Sequence, residues 1–188
     1  GSRQRAAHDA CRAHRLAQRN RISGIRLIDA ASAVAAGKAL DIRQSGPVER
    51  FDTIVSAGSD PLEAAGAGVI VVADAAEGSS GSDHDRALVL VAQLLRAGTT
   101  AAFVFSEPSH AALMERVVRE LTLPLDRAIG TASSAIVGTV RAMTAVEMNV
   151  SAVDVAVVGR SPVFVVAWSA ASAGGLLVTD LVPAHTLL

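Results

Sequence analysis

The chain contains 188 residues, of which 51% are hydrophobic and 19% charged, and its formal net charge is −1 at pH 7. A chain of this length can bury one core of ordinary size, because roughly two-thirds of the unfolded surface is hidden on folding. The near-zero charge excludes the broad positive field that attracts nucleic acid or anionic membranes. The longest apolar runs, such as Leu88–Leu95, are far shorter than the roughly 20 residues that cross a bilayer. We therefore expect neither nucleic acid nor a membrane as a partner.

Cysteine and histidine content limits the chemistry further. A single cysteine, Cys11, excludes an internal disulfide and any multi-cysteine metal site. We expect Cys11 to be a small buried apolar side chain. The chain contains no paired histidines at metal-ligand spacing, so we expect no metal. This cysteine usage fits a reducing, cytoplasmic location.

The N-terminal region is rich in arginine. Seven arginines and only one acid, Asp9, lie between Arg3 and Arg26. An organellar targeting segment has such a composition. We prefer a surface helix, because one stripe of it can pack on a sheet, formed by Ala6, Ala10, Ala13, Leu16 and Ala17.

Short apolar runs rich in β-branched residues alternate with longer helical patterns, as in parallel strand–helix–strand units buried on both faces. We predict strands at Ile25–Ala30, Thr53–Ser56, Val69–Ala73, Thr100–Phe105, Arg127–Gly130, Asp154–Val158, Val163–Trp168 and Leu176–Leu181. We predict the main helices at Ser32–Gln44, Asp83–Ala97, Ser109–Leu121 and Ser133–Met148. The predicted fold class is α/β, a doubly wound and mostly parallel sheet, followed by the start of a more antiparallel segment.

Three segments early in the chain resemble a known family: Ile25–Asp29, Gly37–Ile42 and Gly46–Asp52. They look like the second strand and third helix of the lactate/malate dehydrogenases. The family spacing continues through Ser106–Pro108, Ile129–Gly130 and Asp154–Val155. The resemblance implies a Rossmann-type dinucleotide-binding domain over residues 1–130 and part of the α+β substrate domain over residues 131–188. This chain resembles a degenerate and truncated member.

The resemblance implies an NAD site, of which one residue is retained. Asp29 matches the acid that hydrogen-bonds the ribose hydroxyls, although an acid there can also cap the next helix or be simply solvated. The three glycines that cradle the pyrophosphate would align near Gln4, Ala6 and Asp9, none of which is glycine. The family's first strand is also missing, since only Gly1–Arg3 precede this point. We expect NAD binding to be weak or lost.

The substrate residues that the resemblance implies depart further. The two mobile-loop arginines align with His84 and Gly78, and the carboxylate-binding arginine aligns with Thr139. A histidine substitutes only weakly for an arginine, and His84 can instead be a solvated residue of a helix's first turn. The aspartate that orients the catalytic histidine aligns with Ile136, and the asparagine after the fifth strand aligns with Glu107. Ser161 takes the place of the catalytic histidine, in a loop shortened to Gly159–Pro162.

These replacements predict a catalytically inactive pseudoenzyme that acts as an interaction or regulatory subunit. A positioned acid or base alone contributes roughly 10²- to 10⁴-fold to rate. We name no catalytic residue, with His84 as a weak candidate. The alternatives are an active NAD-dependent oxidoreductase of small 2-oxo acids whose upstream segment is missing here, and a module that senses a nucleotide through Asp29.

The resemblance also suggests a partner surface. The family's helix at Gly37–Gln44 lies at a dimer interface, so we expect a homo- or hetero-oligomer through that helix. The missing first strand would leave an empty position in the sheet. A strand of a partner or the segment Leu176–Leu181 could fill it.

Overall fold

The computed structural model describes residues 11–73, 81–160 and 163–182. The chain divides into two compact units. The first comprises the described residues up to Phe105 together with Ala112–Ile129, and the second comprises Ser106–Ala111 and the described residues from Gly130 onward.

The first unit alternates strands and helices along most of its length. In chain order its elements are α1 (residues 11–18), β1 (Gly24–Ile28), α2 (Ser32–Glu49), β2 (Ile54–Gly58), β3 (Val69–Val72), α3 (Gly81–Arg96), β4 (Ala102–Phe105), α4 (Ala111–Glu120) and β5 (Ala128–Gly130). Short 3-10 turns lie at Pro61–Ala64 and Leu125–Arg127, and the turn Pro108–His110, just before α4, belongs to the second unit.

Strands β1 and β2 form one sheet, which α1 and α2 cover on one face. The two strands are parallel, with Gly24 opposite Ile54 and Ile28 opposite Gly58. A buried cluster joins them to the helices: Ala13 and Ala17 of α1, Ala39 and Ile42 of α2, and Phe51 and Val55. The predicted packing of the α1 stripe is therefore confirmed for Ala13 and Ala17. It was wrong for Leu16, which is 46% exposed, and Ala6 and Ala10 lie outside the described residues. The side chains are small, so the helices can approach the strands closely.

Strands β3, β4 and β5 form a second sheet in that order, and β3 is parallel to β4. Its core contains Val91 and Leu94 of α3, Phe103 and Phe105 of β4, Leu113 and Val117 of α4, and Leu123. Because Phe103 and Phe105 alternate with half-buried residues, both rings point to the side of α3 and α4. Half of the chain's four phenylalanines are in this cluster.

The second unit contains mostly antiparallel strands. Its elements are α5 (Ala132–Glu147), β6 (Val153–Asp154), β7 (Val157–Arg160), β8 (Val163–Val166), β9 (Ser172–Ala173), β10 (Leu176–Leu177) and α6 (Val178–Leu181). Strands β7 and β8 form a ribbon, and β10, β9 and β6 form a small antiparallel sheet. The buried cluster of the second unit consists of Val153, Val155, Ala171, Ala173 and Val178.

Helix α2 is longer than predicted. It continues past Gln44 and includes Pro47 before it ends at Glu49. The prediction that it stops at Gln44 was wrong, because a proline near a helix end removes a single N–H and can be absorbed in the last turn. Arg50, with a φ of 63°, ends the helix in the left-handed conformation, and its N–H donates to Gly46 O at 2.7 Å.

Three further expectations were wrong. The segment Leu176–Leu181 is not one strand, since it pairs with β9 only over Leu176–Leu177 and then becomes helical. The predicted strand Asp154–Val158 is divided between β6 and β7, each of which has a different partner. Cys11 is exposed rather than buried, because it lies on the side of α1 away from the buried Ala13 and Ala17.

Candidate functional site

The retained acid, Asp29, lies immediately after β1 at the carboxyl end of the β1–β2 sheet. Its backbone N–H donates to Gly58 O at 3.2 Å, which extends the pairing with β2. Its Oδ1 accepts a hydrogen bond from the N–H of Ala31 at 2.8 Å. Ala31 is the N-cap residue of α2 and has no capping side chain of its own. The exposed Asp29 carboxylate therefore fixes the start of α2.

The surroundings of Asp29 are acidic. Asp60 accepts the N–H of Leu62 at 2.9 Å and begins the turn Pro61–Ala64. Glu63 of that turn pairs with Arg26 of β1 at 3.0 Å. A Cβ at Gly58 would lie 2.7 Å from Glu63 Oε2, so the carboxylate lies directly against the end of β2. This edge of the β1–β2 sheet therefore has three carboxylates, of Asp29, Asp60 and Glu63, and an arginine that is paired with one of them.

The structure does not describe the residues aligned with the phosphate-binding glycines. Gln4, Ala6 and Asp9 lie outside the described residues, as do Gly78 and Ser161. The predicted absence of a phosphate-binding loop therefore stays a prediction.

The weak catalytic candidate, His84, lies in the first part of α3 and is half-buried. The acid that follows it, Asp85, accepts a hydrogen bond from Arg116 Nη1 of α4 at 2.7 Å. Arg116 also binds Glu120 at 2.8 Å, which raises the pKa of Arg116 and holds the pKa of Glu120 below its ordinary value. This charged surface network ties α3 to α4.

The other substrate positions of the resemblance lie in the second unit. Thr139 is on α5, where its hydroxyl donates to Ala135 O of the same helix at 3.0 Å. Ile136 is half-buried on α5, and Glu107 is half-buried just before the Pro108–His110 turn. The structure thus places Asp29 and His84 in one unit and these three residues in the other.

Gly159, predicted to belong to a shortened catalytic loop, has a clear structural reason to be glycine. It lies within β7 opposite Phe164 of β8, with a φ of 112°. A Cβ there would lie 2.7 Å from Val163 O, closer than real Cβ atoms approach a backbone oxygen. The ribbon itself therefore requires glycine at this position.

A polar cluster that sequence reasoning missed joins α1 to α2. His14 Nε2 lies 2.7 Å from Glu49 Oε2 and 2.9 Å from Ser45 Oγ, and Gln18 donates to Glu49 Oε2 at 2.6 Å. A nucleophilic serine–histidine–acid arrangement needs the serine and the acid on different ring nitrogens. Here both reach the same nitrogen, so the cluster fastens two helices. The sequence did contain a signal for this cluster. His14 and Gln18 are four residues apart, as are Ser45 and Glu49, so each pair lies on one face of its helix.

The described residues contain no group of three or more histidine, cysteine, aspartate or glutamate side chains that could hold a metal ion. Among the same residues, no helix is long and apolar enough to span a bilayer.

Solved structures share this arrangement of elements. A malate dehydrogenase from Salinibacter ruber superposes with a TM-score of 0.84 at 20% identity, and a minor L-lactate dehydrogenase from Enterococcus mundtii with 0.75 at 21%. Each match covers 95% of this chain and 60% of the solved chain. These matches confirm the predicted fold class, a doubly wound, mostly parallel Rossmann-like α/β arrangement.

Curated relatives agree with the fold. The malate dehydrogenase of Chlorobium luteolum is 29% identical over 154 residues, and that of Chloroherpeton thalassium is 31% identical over 138 residues. The chain belongs to the lactate/malate dehydrogenase family. The resemblance predicted from Ile25–Asp29 and the later segments is thereby confirmed.

This dehydrogenase-family chain matches only part of its relatives. It spans 50% of the Chlorobium luteolum protein and 44% of the Chloroherpeton thalassium protein, so it spans about half the length of the curated relatives it matches. No protein-family model matches the chain.

Proposed function

We propose that this chain is a non-catalytic member of the lactate/malate dehydrogenase family that acts as an interaction or regulatory subunit. The observation that carries the proposal is that Thr139 occupies the position matched to the carboxylate-binding arginine and bonds only within its own helix among the described contacts. Its short neutral side chain donates to Ala135 O within its own helix. An arginine binds a carboxylate through two parallel charge-assisted hydrogen bonds, which a threonine cannot provide.

The environment of Asp29 supports weak or lost NAD binding. One carboxylate oxygen is engaged by the Ala31 N–H, and Asp60 and Glu63 add negative charge nearby. Pyrophosphate binding instead needs backbone N–H groups and a positive potential. Among the described residues, Arg26 of β1 lies near this edge and is already paired with Glu63.

Titration calorimetry with NAD and NADH tests the proposal, with thermal shift at millimolar ligand as a second readout. We expect no heat of binding and no stabilisation. Micromolar binding together with reduction of a small 2-oxo acid would overturn the proposal. It would favour the second candidate, an NAD-dependent oxidoreductase of malate/lactate type, which the retention of Asp29 supports. In that case His84→Ala would show whether His84 takes part in the chemistry.

We further propose that the partner surface is the exposed side of α2 around Gly37–Gln44, in a cytoplasmic homo- or hetero-oligomer. Leu40 is 48% exposed there. It lines an open cleft of about 990 Å³ between α2 and β2, together with Arg43, Pro47 and Ile54. An exposed apolar side chain beside such a cleft fits a protein interface better than a solvated helix face.

Sedimentation velocity tests this surface. Leu40→Glu should shift the protein to a smaller species, because it places a charge in the interface. Leu62→Glu is the matched control, since Leu62 is 47% exposed but lies in the Pro61–Ala64 turn. Equal effects of the two variants, or a wild-type protein that is monomeric at all concentrations, would contradict the assignment.

A further inference from the structure

Helix α2 faces α1 on one flank and is exposed on the other. The first flank is fixed by His14 of α1, whose Nε2 lies 2.9 Å from Ser45 Oγ and 2.7 Å from Glu49 Oε2. Residues two positions apart point about 200° apart around a helix. Arg43 and Pro47 therefore lie on the flank of α2 opposite α1, and both are exposed.

Five exposed residues form a continuous stripe on this second flank. They recur at intervals of four, three, four and three residues: Ala36, Leu40, Arg43, Pro47 and the C-cap residue Arg50. All five line the cleft of about 990 Å³ between α2 and β2. Intervals of three and four residues keep side chains on one face of a helix, as in the stripe through which one helix packs on another. The stripe therefore has the spacing of a helix-packing surface.

The opposite wall of the cleft is the edge of β2 that points away from β1. It contains Ile54–Ala57, and Ile54 is 72% exposed. Among the described residues, no strand pairs with this edge. Folded proteins commonly cover a sheet edge with a helix or loop. A helix laid along the second flank of α2 would cover this one.

The cleft carries positive charge. The guanidinium groups of Arg43 and Arg50 form no hydrogen bond or ion pair with a described residue. Arg26 and Arg116, in contrast, are both paired with carboxylates. Asp52 is the one acid among the described residues that line the cleft. By charge complementarity, this surface selects a partner that presents carboxylates.

The spacing of the two arginines favours a helical partner over an extended one. Seven residues of α2 span about 10.5 Å. Carboxylates seven residues apart on a second helix have the same separation and share one face. Side chains on one face of a strand recur about every 6.8 Å, so an extended segment would place its carboxylates at roughly 7 or 14 Å.

A second copy of the chain fits this flank poorly. In the described part of the chain, no helix has two acids seven residues apart. Two copies of the flank packed on each other would bring Arg43 and Arg50 of both chains together. Such a juxtaposition of like charges disfavours association.

We propose that the second flank of α2 binds an acidic amphipathic helix of a partner protein. Two carboxylates seven residues apart pair with Arg43 and Arg50, and the apolar residues between them pack into the cleft against Pro47. The inference rests on the proposed function of an interaction subunit and names the chemistry of its partner. Helix-in-groove recognition of this kind depends on side chains spaced by three and four residues.

A labelled helical peptide tests the flank. The probe is an alanine-based peptide of about 20 residues, with a fluorescein tag, two glutamates seven residues apart and leucines between them on the same face. In the control peptide both glutamates are moved by two residues, to the face opposite the leucines. We expect saturable fluorescence anisotropy with the probe and about tenfold weaker binding of the control.

Equal binding of the two peptides would overturn the proposal. Absence of binding would also overturn it, and is the result expected if other residues of this chain occupy the flank. A probe with a proline midway between its glutamates cannot form the helix and should not bind. Undiminished binding of that probe would indicate an extended partner and overturn the helical one.

Matched arginine variants locate the site. Arg43→Gln combined with Arg50→Gln should lower the affinity for the probe about tenfold, because two charge pairs are lost. Arg15→Gln is the control, since Arg15 is an exposed arginine of α1, and it should leave the affinity unchanged. Equal losses would attribute binding to net charge and overturn the site.

Charge reversal adds a test that loss of folding cannot imitate. Arg43→Glu combined with Arg50→Glu should reject the probe and bind a peptide in which two lysines replace its glutamates. Circular dichroism verifies that the double variant is folded. A folded double variant that binds both peptides alike would overturn the proposed pairing.

Sedimentation velocity and an activity assay on the same complex separate the remaining outcomes. A dimer that dissociates when the probe binds would show that a second copy occupies the flank, and would overturn the inference. Probe binding accompanied by NADH-dependent reduction of a 2-oxo acid would leave the flank standing and overturn the non-catalytic role. Failure of the probe to bind, without turnover, would overturn the inference alone.

Discussion

At the scale of one residue, the Asp29 carboxylate has two possible reasons to be present: the family's cofactor site and the start of α2. The family position is that of a ribose-binding acid. In this chain the carboxylate accepts the Ala31 N–H at the start of α2. Helix starts leave unpaired N–H groups, and an aspartate is a favoured acceptor for them. Capping alone therefore gives a physical reason for an acid at this position.

Removing that cap should lower stability. We expect Asp29→Ala to reduce the free energy of unfolding by about 1 kcal/mol, the usual effect of losing an acid at a helix start. Urea unfolding followed by circular dichroism measures it. Asp41→Ala is the control, since Asp41 is an exposed acid in the middle of α2. Equal changes in the two variants would show that Asp29 does not act as a cap.

Glu49 makes stability depend on pH at the acid end. The Gln18 amide, with a further contribution from His14, lowers the pKa of the Glu49 carboxyl below its ordinary value. A depressed folded pKa contributes stability above the unfolded value of about 4.3, and this stability is lost as pH falls through the folded pKa.

We expect Glu49→Gln to lower Tm at pH 7, and the difference from wild type to shrink as the pH falls below about 4.3. Thermal unfolding between neutral and acid pH measures it. Asp41→Asn changes an exposed acid of the same helix, so its Tm should differ from that of the wild type by the same amount at every pH. A Tm difference for Glu49→Gln that is constant with pH would contradict the role of its charge.

At the scale of elements, Pro47 is the clearest conflict between local preference and the fold. A proline inside a helix lacks the N–H that would bond four residues back, and costs about 3 kcal/mol in a helix interior. Here α2 nevertheless continues to Glu49. Tertiary burial of Ala35, Ala39 and Ile42 on the sheet supplies the compensating stability.

Pro47→Ala should therefore raise stability by about 1 kcal/mol, because the restored hydrogen bond outweighs the greater entropy of the unfolded chain. The change in urea midpoint measures it. Val48→Ala, at an exposed neighbouring position of the same turn, should change stability by less than about 0.5 kcal/mol. A destabilised Pro47→Ala would mean that the ring itself packs in the native state.

Most elements could be predicted from sequence, and the errors have physical causes. Runs such as Val69–Val72 and Ala102–Phe105 are apolar and β-branched or aromatic, so their periodicity identifies strands. The predicted strand Leu176–Leu181 also begins with apolar residues, but Val178–Leu181 is helical, since Val178 is buried in the second unit's cluster and pairing ends at Leu177. Short apolar runs cannot be assigned by pattern alone when tertiary packing decides.

The site was less predictable than the fold. Sequence alignment could identify Asp29 and the loss of an arginine at Thr139. It could not reveal that Thr139 donates to Ala135, or that His14, Ser45 and Glu49 converge. Convergence of distant residues depends on how α1 packs on α2, which periodicity does not specify.

At the scale of the whole molecule, one edge of β1 and one edge of β3 should govern behaviour in solution, because no described strand pairs with either of them. Parallel strands normally lie inside a sheet, and an open, flat, apolar edge is a template for association. Ile28 and Val71 lie on such edges in the first unit, whereas the segment Leu176–Leu181 of the second unit pairs with β9 at Leu176–Leu177 and then forms α6.

We expect Val71→Lys to reduce concentration-dependent association, because a lysine on an edge strand opposes pairing with another chain. Val89→Lys is the matched control, since it makes the same chemical change at a 57% exposed position of α3, away from any strand. Light scattering over a dilution series compares the two. A larger effect of Val71→Lys locates association at the strand edge, whereas equal effects would attribute it to general surface hydrophobicity and remove the edge as its cause.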